Sequence, residues 1–124
     1  VEIYVVDQST LEVFIMGDKD QLLRSFNNLL KNAIEAASDN EECMIYIKLR
    51  NDQKKVWIEV SDNGKGIDYY LQDKIFAPNF TTKSSGTGLG LAFVKQAVEN
   101  AGGTVDFKSV IEKGTTFYLS FPLA

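Results

Sequence analysis

The sequence predicts a two-layer α+β sandwich in which helices cover one face of a mixed β-sheet. Its 124 residues are 44% hydrophobic and 24% charged, which is the composition of one soluble globular domain. Several short segments alternate apolar and polar residues, as half-buried strands do, and two longer segments repeat apolar residues at helical spacing. These segments follow one another as β-β-α-β-β-loop-α-β-β. That order favours a one-sided sandwich over a doubly wound nucleotide fold.

The first predicted elements are two strands and a long helix. Alternating residues predict strands over 1–6 and 12–16, with a polar turn between them. Asp18 and Gln21 form a capping-box-like start for a helix that runs to about Ala37. At about 100° per residue, the apolar residues of this helix fall in one arc of roughly 140°, which we expect to face the core. They are Leu22, Leu23, Phe26, Leu29, Leu30, Ala33, Ile34 and Ala37.

The remaining predicted elements are two hairpins separated by an irregular segment and a second helix. The segment between Gly64 and Gly90 is rich in glycine, serine and threonine, and loops of this length usually carry function or are disordered. The predicted elements are strands over 44–50 and 56–60, a short helix near 69–75, a helix over 89–101, and strands over 104–108 and 115–121.

Charge and composition exclude several classes of function. The net charge of −4 argues against a nucleic-acid partner, because binding to phosphate backbones depends on clustered positive charge. No apolar run approaches the roughly 20 residues that a membrane span needs, so we expect a segment that does not cross the membrane. One cysteine and no histidine leave neither an internal disulfide nor a His/Cys metal cluster. Because the chain opens at Val1 within an apparent strand, we expect one domain over 1–124, cut from a longer protein.

Polar side chains repeat along the first predicted helix. Asn28, Asn32 and Glu35 follow one another at about one-turn spacing and are predicted to lie opposite the apolar arc. Such residues are usually a solvated face. Amide and carboxylate oxygens also suit Mg²⁺, which takes further ligands from water and phosphates. On these residues alone, both interpretations stay open.

Two glycine-containing segments suggest a nucleotide. Residues 62–66 (DNGKG) follow a predicted strand, where Asp62 could accept a hydrogen bond from an adenine amine while the glycines let a flat ring approach. The same residues also suit a plain turn. Residues 86–91 (GTGLGL) lead into a helix whose unpaired N–H groups could bind phosphate, with Thr81, Thr82 and Lys83 just before them. A mobile polar loop explains that segment equally well.

Five segments, taken in order, resemble the motifs of the ATP-binding catalytic domain of sensor histidine kinases. This family belongs to a superfamily shared with gyrase, MutL and certain heat-shock chaperones. The segments resemble the N box (28–33, NLLKNA), the first glycine box (62–66), the phenylalanine box (75–83, IFAPNFTTK), the second glycine box (86–91) and the closing hairpin (114–117, GTTF). The resemblance covers nearly the whole chain and implies the Bergerat ATP-binding fold.

The resemblance also implies a role for individual residues. Asp62 would accept the adenine amine, Asn28 and Asn32 would hold Mg²⁺ and the phosphates, and Lys83 would complete the catalytic set from a lid over about 77–87. Phe76 and Phe80 would anchor that lid or touch a partner domain. The full set implied to contact ATP is Asn28, Asn32, Asp62, Gly64, Gly66, Ile67, Phe76, Thr81, Thr82, Lys83, Gly86, Thr87, Gly88, Leu89, Gly90 and Thr116.

Among the superfamily's activities, the residues favour a kinase. Hydrolysing members carry a glutamate where Asn28 stands, and an amide cannot act as general base. The implied reaction transfers the γ-phosphoryl group of Mg-ATP to a histidine on a separate helical dimerisation domain, with a response regulator downstream. Glu35 and Asn79 depart from the commoner family pattern. The alternatives are a gyrase- or MutL-type ATP hydrolase with Glu35 as base, and a degenerate nucleotide-sensing docking module. The family's location is cytoplasmic, often in a parent anchored in the inner membrane.

Overall fold

The computed structural model describes residues 1–9, 12–39, 41–78 and 90–124. Its elements are β1 (Glu2–Asp7), α1 (Lys19–Glu35), β2 (Met44–Asn51), β3 (Lys55–Asp62), a short 3-10 helix (Tyr69–Lys74), α2 (Gly90–Asn100), β4 (Thr104–Val110) and β5 (Gly114–Pro122). Within these described residues the strands form one sheet in the order β1-β2-β3-β5-β4, with β1 parallel to β2 and the other pairs antiparallel. The predicted mixed sheet with helices is therefore confirmed.

The strand predicted over 12–16 is wrong. Val13 and Ile15 pack against the core, whereas Phe14 and Met16 are exposed, so the residues alternate without forming a strand. The backbone N–H of Ala124 donates to the carbonyl of Phe14 at 2.8 Å. The apolar alternation arises because an extended segment crosses the edge of the core, and such a segment needs no ladder of strand hydrogen bonds.

Helix α1 begins where the sequence predicts. Asp18 is the N-cap, and its carboxylate accepts a hydrogen bond from the backbone N–H of Gln21 at 3.0 Å. This bond satisfies one of the N–H groups that a helix start leaves without a partner. At the other end, the backbone N–H of Ala36 donates to the carbonyl of Asn32.

The buried face of α1 agrees with the predicted one in part. Six of the eight residues predicted to face the core are buried or pack against it: Leu22, Phe26, Leu29, Leu30, Ala33 and Ala37. Ser25, Leu29 and Ala33 are buried, whereas Leu23 and Ile34 are 53% and 45% exposed. At 100° per residue, the centre of the three fully buried residues is rotated by about 70° from the centre of the predicted arc. The physical reason is that α1 packs against α2 as well as against the sheet, so its buried face is shared between two neighbours.

This rotation moves the amides of α1. Asn28 and Asn32 do not lie opposite the buried face, as the sequence analysis predicted, but at its margin, where both are half-buried. Glu35 lies farther round the helix and is exposed. The margin that carries the two amides is the one that meets α2.

The core lies between the helices and the sheet face that they cover. Its largest fully buried side chains include Leu29 of α1, Ile45 of β2, Val94 of α2, and Leu119 and Phe121 of β5. On β5 the buried residues continue with Phe117 and Thr115, so the helix-covered face extends to the start of that strand. In the part of the chain that the structure describes, no helix is both long and apolar enough to cross a membrane.

Candidate functional site

Asp62 is the last residue of β3 and lies on the helix-covered face of the sheet. Its Oδ1 atom accepts hydrogen bonds from the backbone N–H of Gly64 at 2.9 Å and of Thr115 at 3.3 Å. Burial raises the pKa of the Asp62 carboxyl, because the charged form loses water, and the two N–H bonds lower the pKa by less. The structure thus fixes a carboxylate in a half-buried position where β3 and β5 meet.

Thr115 and not Thr116 shares this face with Asp62. Thr116 points to the opposite face of the sheet, where its hydroxyl lies 2.7 Å from that of Ser61. Thr115 is buried, and its hydroxyl lies 2.8 Å from that of Ser109. The site residues predicted from the sequence include Thr116 and not Thr115. Strand alternation could have found it, since Phe117 is an obvious core residue two positions later.

The glycines of the DNGKG segment are required by contacts within the protein itself. A Cβ at Gly64 would lie 2.4 Å from the carbonyl oxygen of Ala36, at the end of α1. A Cβ at Gly66, where φ is +76°, would lie 2.4 Å from the carbonyl oxygen of Val110. Between them, the N–H of Lys65 donates to the Ala36 carbonyl at 2.8 Å. The segment is therefore held against α1 and the β4–β5 hairpin, and this anchoring sets the position of Asp62.

Asn28 joins α1 to the start of α2. Its Nδ2 atom donates to the carbonyl oxygen of Gly90, the first residue of α2, at 3.2 Å. A Cβ at Gly90 would lie 3.9 Å from the Asn28 amide, which is an ordinary van der Waals contact. Asn32 lies one turn further along, with a buried amide nitrogen. The hydrogen bond to Gly90, at the start of α2, thus fixes the orientation of the Asn28 side-chain amide and with it the position of the amide oxygen.

Ile67 and Phe76 border the site from the segment between β3 and α2. The N–H of Ile67 donates to the hydroxyl of Ser109 at 2.8 Å. Phe76 packs edge-on against Phe107 and Phe117, at ring-centre distances of 5.8 and 6.3 Å. Phe76 is thus anchored in an aromatic cluster at the start of the segment that the sequence analysis interprets as a lid.

Several predicted site residues lie outside the described residues. They are Asn79, Phe80, Thr81, Thr82, Lys83, Gly86, Thr87, Gly88 and Leu89. The roles that the resemblance implies for them remain predictions.

The described residues form an elongated site along α1. Asp62 and Thr115 lie at one end, near Ala36, and Asn28 with Gly90 lies at the other. Since a helix rises about 1.5 Å per residue, the eight steps from Asn28 to Ala36 span about 12 Å. At one end, the Asp62 carboxylate and the Thr115 hydroxyl suit a heterocyclic base. At the other end, the Asn28 amide and the start of α2 suit phosphate groups. Within the described ranges, no group of three or more His, Cys, Asp or Glu side chains could hold a metal.

Known proteins are similar to the chain in both sequence and fold. The chain is 41% identical over 110 residues to sporulation kinase A of Bacillus subtilis (strain 168), a match that covers 89% of the chain and 18% of that kinase. The catalytic domain of histidine kinase ThkA, in a nucleotide-free form, has a TM-score of 0.78 and 32% identity, over 97% of the chain and 78% of that structure. Full-length ShkA in complex with AMPPNP has a TM-score of 0.82 and 26% identity, over 99% of the chain and 26% of that structure.

A family profile covers most of the chain. The profile of the histidine kinase-, DNA gyrase B- and HSP90-like ATPases matches residues 17–124, a span that includes α1 and every later element. The chain spans about a fifth of the length of sporulation kinase A. These similarities confirm the resemblance stated from the motifs: the chain belongs to the histidine kinase-, DNA gyrase B- and HSP90-like ATPase family, as a catalytic domain of the sensor histidine kinase type.

Proposed function

We propose that this domain binds Mg-ATP and donates the γ-phosphoryl group to a histidine on a separate helical dimerisation domain of its parent kinase. The observation that carries the proposal is the Asp62 carboxylate, which is half-buried and fixed by the N–H groups of Gly64 and Thr115. The parent's response regulator, its cytoplasmic location and any anchor in the inner membrane are further parts of this proposal, and they follow from the family.

Asp62 is suited to recognise adenine. A carboxylate accepts hydrogen bonds and donates none, so it pairs with the exocyclic amine of adenine and repels the carbonyl that guanine carries at the same place. Because Oδ1 is occupied by two backbone N–H groups, the carboxylate cannot turn freely when a ligand arrives. A fixed acceptor binds with less loss of side-chain freedom.

The amides of α1 suit the phosphate end. The amide nitrogen of Asn28 donates to the Gly90 carbonyl, so the amide oxygen lies on the side away from that bond. Neutral amide oxygens are ligands that Mg²⁺ accepts when phosphates and water complete its shell, so the donor set fits the ion. Asn28 and Asn32 would hold it. When bound, Mg²⁺ supplies neutralisation of the charge on the transferring phosphoryl group.

The residues of this chain bind and orient ATP, and the nucleophile comes from elsewhere. The sequence contains no histidine, so the phosphoacceptor cannot lie within it. The amide of Asn28 cannot act as a general base that activates a water. Transfer from ATP in the site therefore needs an attacking group from another domain, placed in line with the γ-phosphorus. Phosphoryl transfer of this kind depends on positioning and electrostatics more than on covalent chemistry by the domain.

The decisive experiment measures binding and transfer together. The isolated domain is titrated with ATP by calorimetry, with and without Mg²⁺, and then mixed with the helical dimerisation domain of its parent kinase and labelled ATP. We expect binding that strengthens with Mg²⁺, no release of phosphate by the domain alone, and labelled histidine in the mixture. Steady phosphate release without the acceptor would replace the proposal with a hydrolase, and failure to bind ATP would leave a docking module.

The substitution Asn28→Glu tests how close the site lies to hydrolysis. A carboxylate at this position can accept a proton from water, so we expect phosphate release by the isolated domain to rise at least about tenfold above wild type. The matched control is Asn27→Glu, which adds the same charge on an exposed face of the same helix one residue earlier. Equal release by the two variants, with ATP still bound, would contradict the assignment of Asn28 to the phosphate end.

The raised pKa of Asp62 predicts a pH dependence of ATP binding. Burial raises the pKa of this carboxyl, so Asp62 becomes protonated at a higher pH than an ordinary aspartate does. As the pH is lowered, we therefore expect the affinity for ATP to begin to fall at a higher pH than it would with an ordinary aspartate at this position. Calorimetric titrations from neutral to acidic pH measure this loss. The variant Asp62→Asn supplies the baseline, since its residual pH dependence comes from the nucleotide phosphates, and parallel profiles for the two proteins would contradict the prediction.

Without nucleotide, the same shift acts on stability with the opposite sign. A carboxyl whose pKa is raised by folding binds its proton more tightly in the folded state than in the unfolded state. Asp62 therefore adds stability at acidic pH, and this contribution is lost as the pH rises through its folded-state pKa.

A further inference from the structure

Strand β1 is an exposed apolar edge of the sheet. It pairs with β2 on one side, and all six of its residues are exposed, including Ile3 at 50%, Val5 at 68% and Val6 at 45%. Helix α1 packs against β3 and α2 against β4, so the helix layer stops short of β1. The charges of β1 lie only at its ends, at Glu2 and Asp7, and the strand contains no proline or lysine. Edge strands that lack such residues readily pair with another strand.

The backbone hydrogen bonds of β1 show which of its groups point outward. The N–H of Glu2 donates to the carbonyl of Cys43, and the N–H of Gln8 also donates to β2. Successive residues of a strand point their N–H and C=O groups to opposite edges, so those of Ile3 and Val5 point away from the sheet. Within the described part of the chain, no strand lies beyond β1 to bond with them.

Strand β1 is complementary to itself in one antiparallel register. A twofold axis beside Tyr4 places this residue opposite Tyr4 of the second copy, and Ile3 then exchanges backbone hydrogen bonds with Val5 of the second copy. The side chains of these bonded residues are apolar, so each meets an apolar partner. On the other face of the sheet, Tyr4 already stacks on Tyr46 at a ring-centre distance of 5.1 Å, so the two tyrosine pairs become neighbours.

The charges beside β1 are also complementary in this register. Glu2 of the second copy lies opposite Val6, and the residue across the sheet from Val6 is Lys48 of β2. Because neighbouring strands are about 4.8 Å apart, the long side chains of Glu2 and Lys48 can meet over Val6. Among the described residues, Lys48 makes no ion pair with Glu59, its neighbour on β3. The contact forms twice by symmetry, and a slip of two residues in either direction breaks it.

We propose that β1 is a self-association surface, at which two copies of this chain pair antiparallel in this register and join their sheets into one. Each copy contributes one short strand, so the association is weak, with a Kd on the order of 100 μM. Pairing covers the free edge of β1 in both copies, so the assembly ends at the dimer. The surface is distant in the sheet order from the β3–β5 junction that carries Asp62, and its pairing requires no nucleotide.

Sedimentation velocity of the chain without nucleotide, from about 10 μM to about 1 mM, measures the association. We expect a reversible equilibrium between monomer and dimer. Amide hydrogen exchange at Ile3 and Val5 should slow as the concentration rises, because only pairing protects N–H groups that point outward. In Val5→Lys a charge enters the apolar contact, so we expect the Kd to rise at least about tenfold. The matched control is Val110→Lys, which adds the same charge at a 57% exposed valine on the other edge strand and should change the Kd less than about twofold.

Two charge reversals test the register. Glu2→Lys alone sets lysines against each other across the dimer, and Lys48→Glu alone sets glutamates against each other, so each variant should associate at least about threefold more weakly than wild type. In an equal mixture, the two variants form a heterodimer with opposite charges at both contacts. We expect its Kd to lie within about twofold of wild type.

The outcomes decide for or against the proposal. A monomer at every concentration overturns it, and so does growth beyond the dimer. A dimer that Val5→Lys and Val110→Lys weaken equally also overturns it, as do charge variants that associate no better in the mixture than alone. Concentration-dependent protection of Ile3 and Val5, weakening by Val5→Lys alone and recovery in the mixture support it. Because no nucleotide is present, failure of the proposed ATP binding leaves each of these results unchanged.

Discussion

Replacing Asp62 with asparagine is expected to weaken ATP binding by about 100-fold, because a site built around an acceptor would then present a donor to the adenine amine. The Asp62 Oδ1 atom is already occupied by the N–H groups of Gly64 and Thr115. In Asp62→Asn, the side-chain oxygen keeps those two bonds, so the new NH₂ group takes the place of the oxygen that would face the base. Two donors then meet, and neither is satisfied.

The same substitution should leave the fold unharmed. The backbone N–H groups of Gly64 and Thr115 retain an oxygen acceptor, and the change removes a charge whose burial raises the carboxyl pKa. A neutral amide in a half-buried position avoids that desolvation cost. We therefore expect a thermal midpoint equal to or above that of wild type, so that the loss of binding cannot be attributed to unfolding.

A second aspartate provides the control. The Asp52 carboxylate also accepts two backbone N–H groups through Oδ1, from Lys54 and Lys55, each at 2.7 Å, in the turn before β3. Asp52→Asn makes the same chemical change at the opposite end of the same strand. Calorimetric titration with Mg-ATP should distinguish the two variants clearly. An Asp62→Asn protein that binds ATP as tightly as Asp52→Asn would remove Asp62 from the base site.

Much of the fold could be predicted because its signals are local. The N-cap of α1, the apolar periodicity of both helices, and the paired alternation of β2 with β3 and of β4 with β5 all depend on residues close in sequence. The segment 12–16 has the same alternation and is not a strand. Alternation reports that one side of an extended chain is buried, and only pairing with a neighbour makes that chain a strand.

The candidate site was predicted less completely, because its details depend on tertiary packing. Motif spacing identifies Asn28, Asn32 and Asp62, but the helical wheel alone placed the amides opposite the core. The contact of α1 with α2 rotates the buried face and moves them to its margin. Likewise, the choice between Thr115 and Thr116 depends on which face of β5 meets the helices. Ser109 has no motif of its own, and its contacts become visible only when β4, β5 and the segment after β3 are brought together.

Replacing Gly114 with alanine is expected to destabilise the domain by at least about 3 kcal/mol, because strain and a steric clash coincide there. Gly114 has a φ of +123°, which residues other than glycine rarely adopt. A Cβ at this position would also lie 2.0 Å from the carbonyl oxygen of Asp62. That oxygen belongs to the backbone of β3 and cannot move without shifting the strand.

Gly102 separates the strain from the clash. It too has a positive φ, +78°, but the nearest atom to a Cβ there is the Cγ of Pro122 at 3.5 Å, an ordinary contact. Gly102→Ala should therefore cost only about 1 kcal/mol, the penalty of a left-handed backbone. Equal free energies of unfolding for the two variants, measured with denaturant, would show that the strand moves to accommodate the Cβ at Gly114.

The position of Gly114 also ties stability to binding. The backbone N–H that holds the Asp62 carboxylate belongs to Thr115, the next residue, while the clash would push on the carbonyl of Asp62 itself. Any shift that relieves the clash therefore lengthens the bond that fixes the carboxylate. We expect the fraction of Gly114→Ala that remains folded to bind ATP more weakly than wild type, whereas folded Gly102→Ala should bind ATP normally. The close approach of Gly114 to the backbone of Asp62 is thus needed for folding and also keeps the Asp62 carboxylate in place for binding.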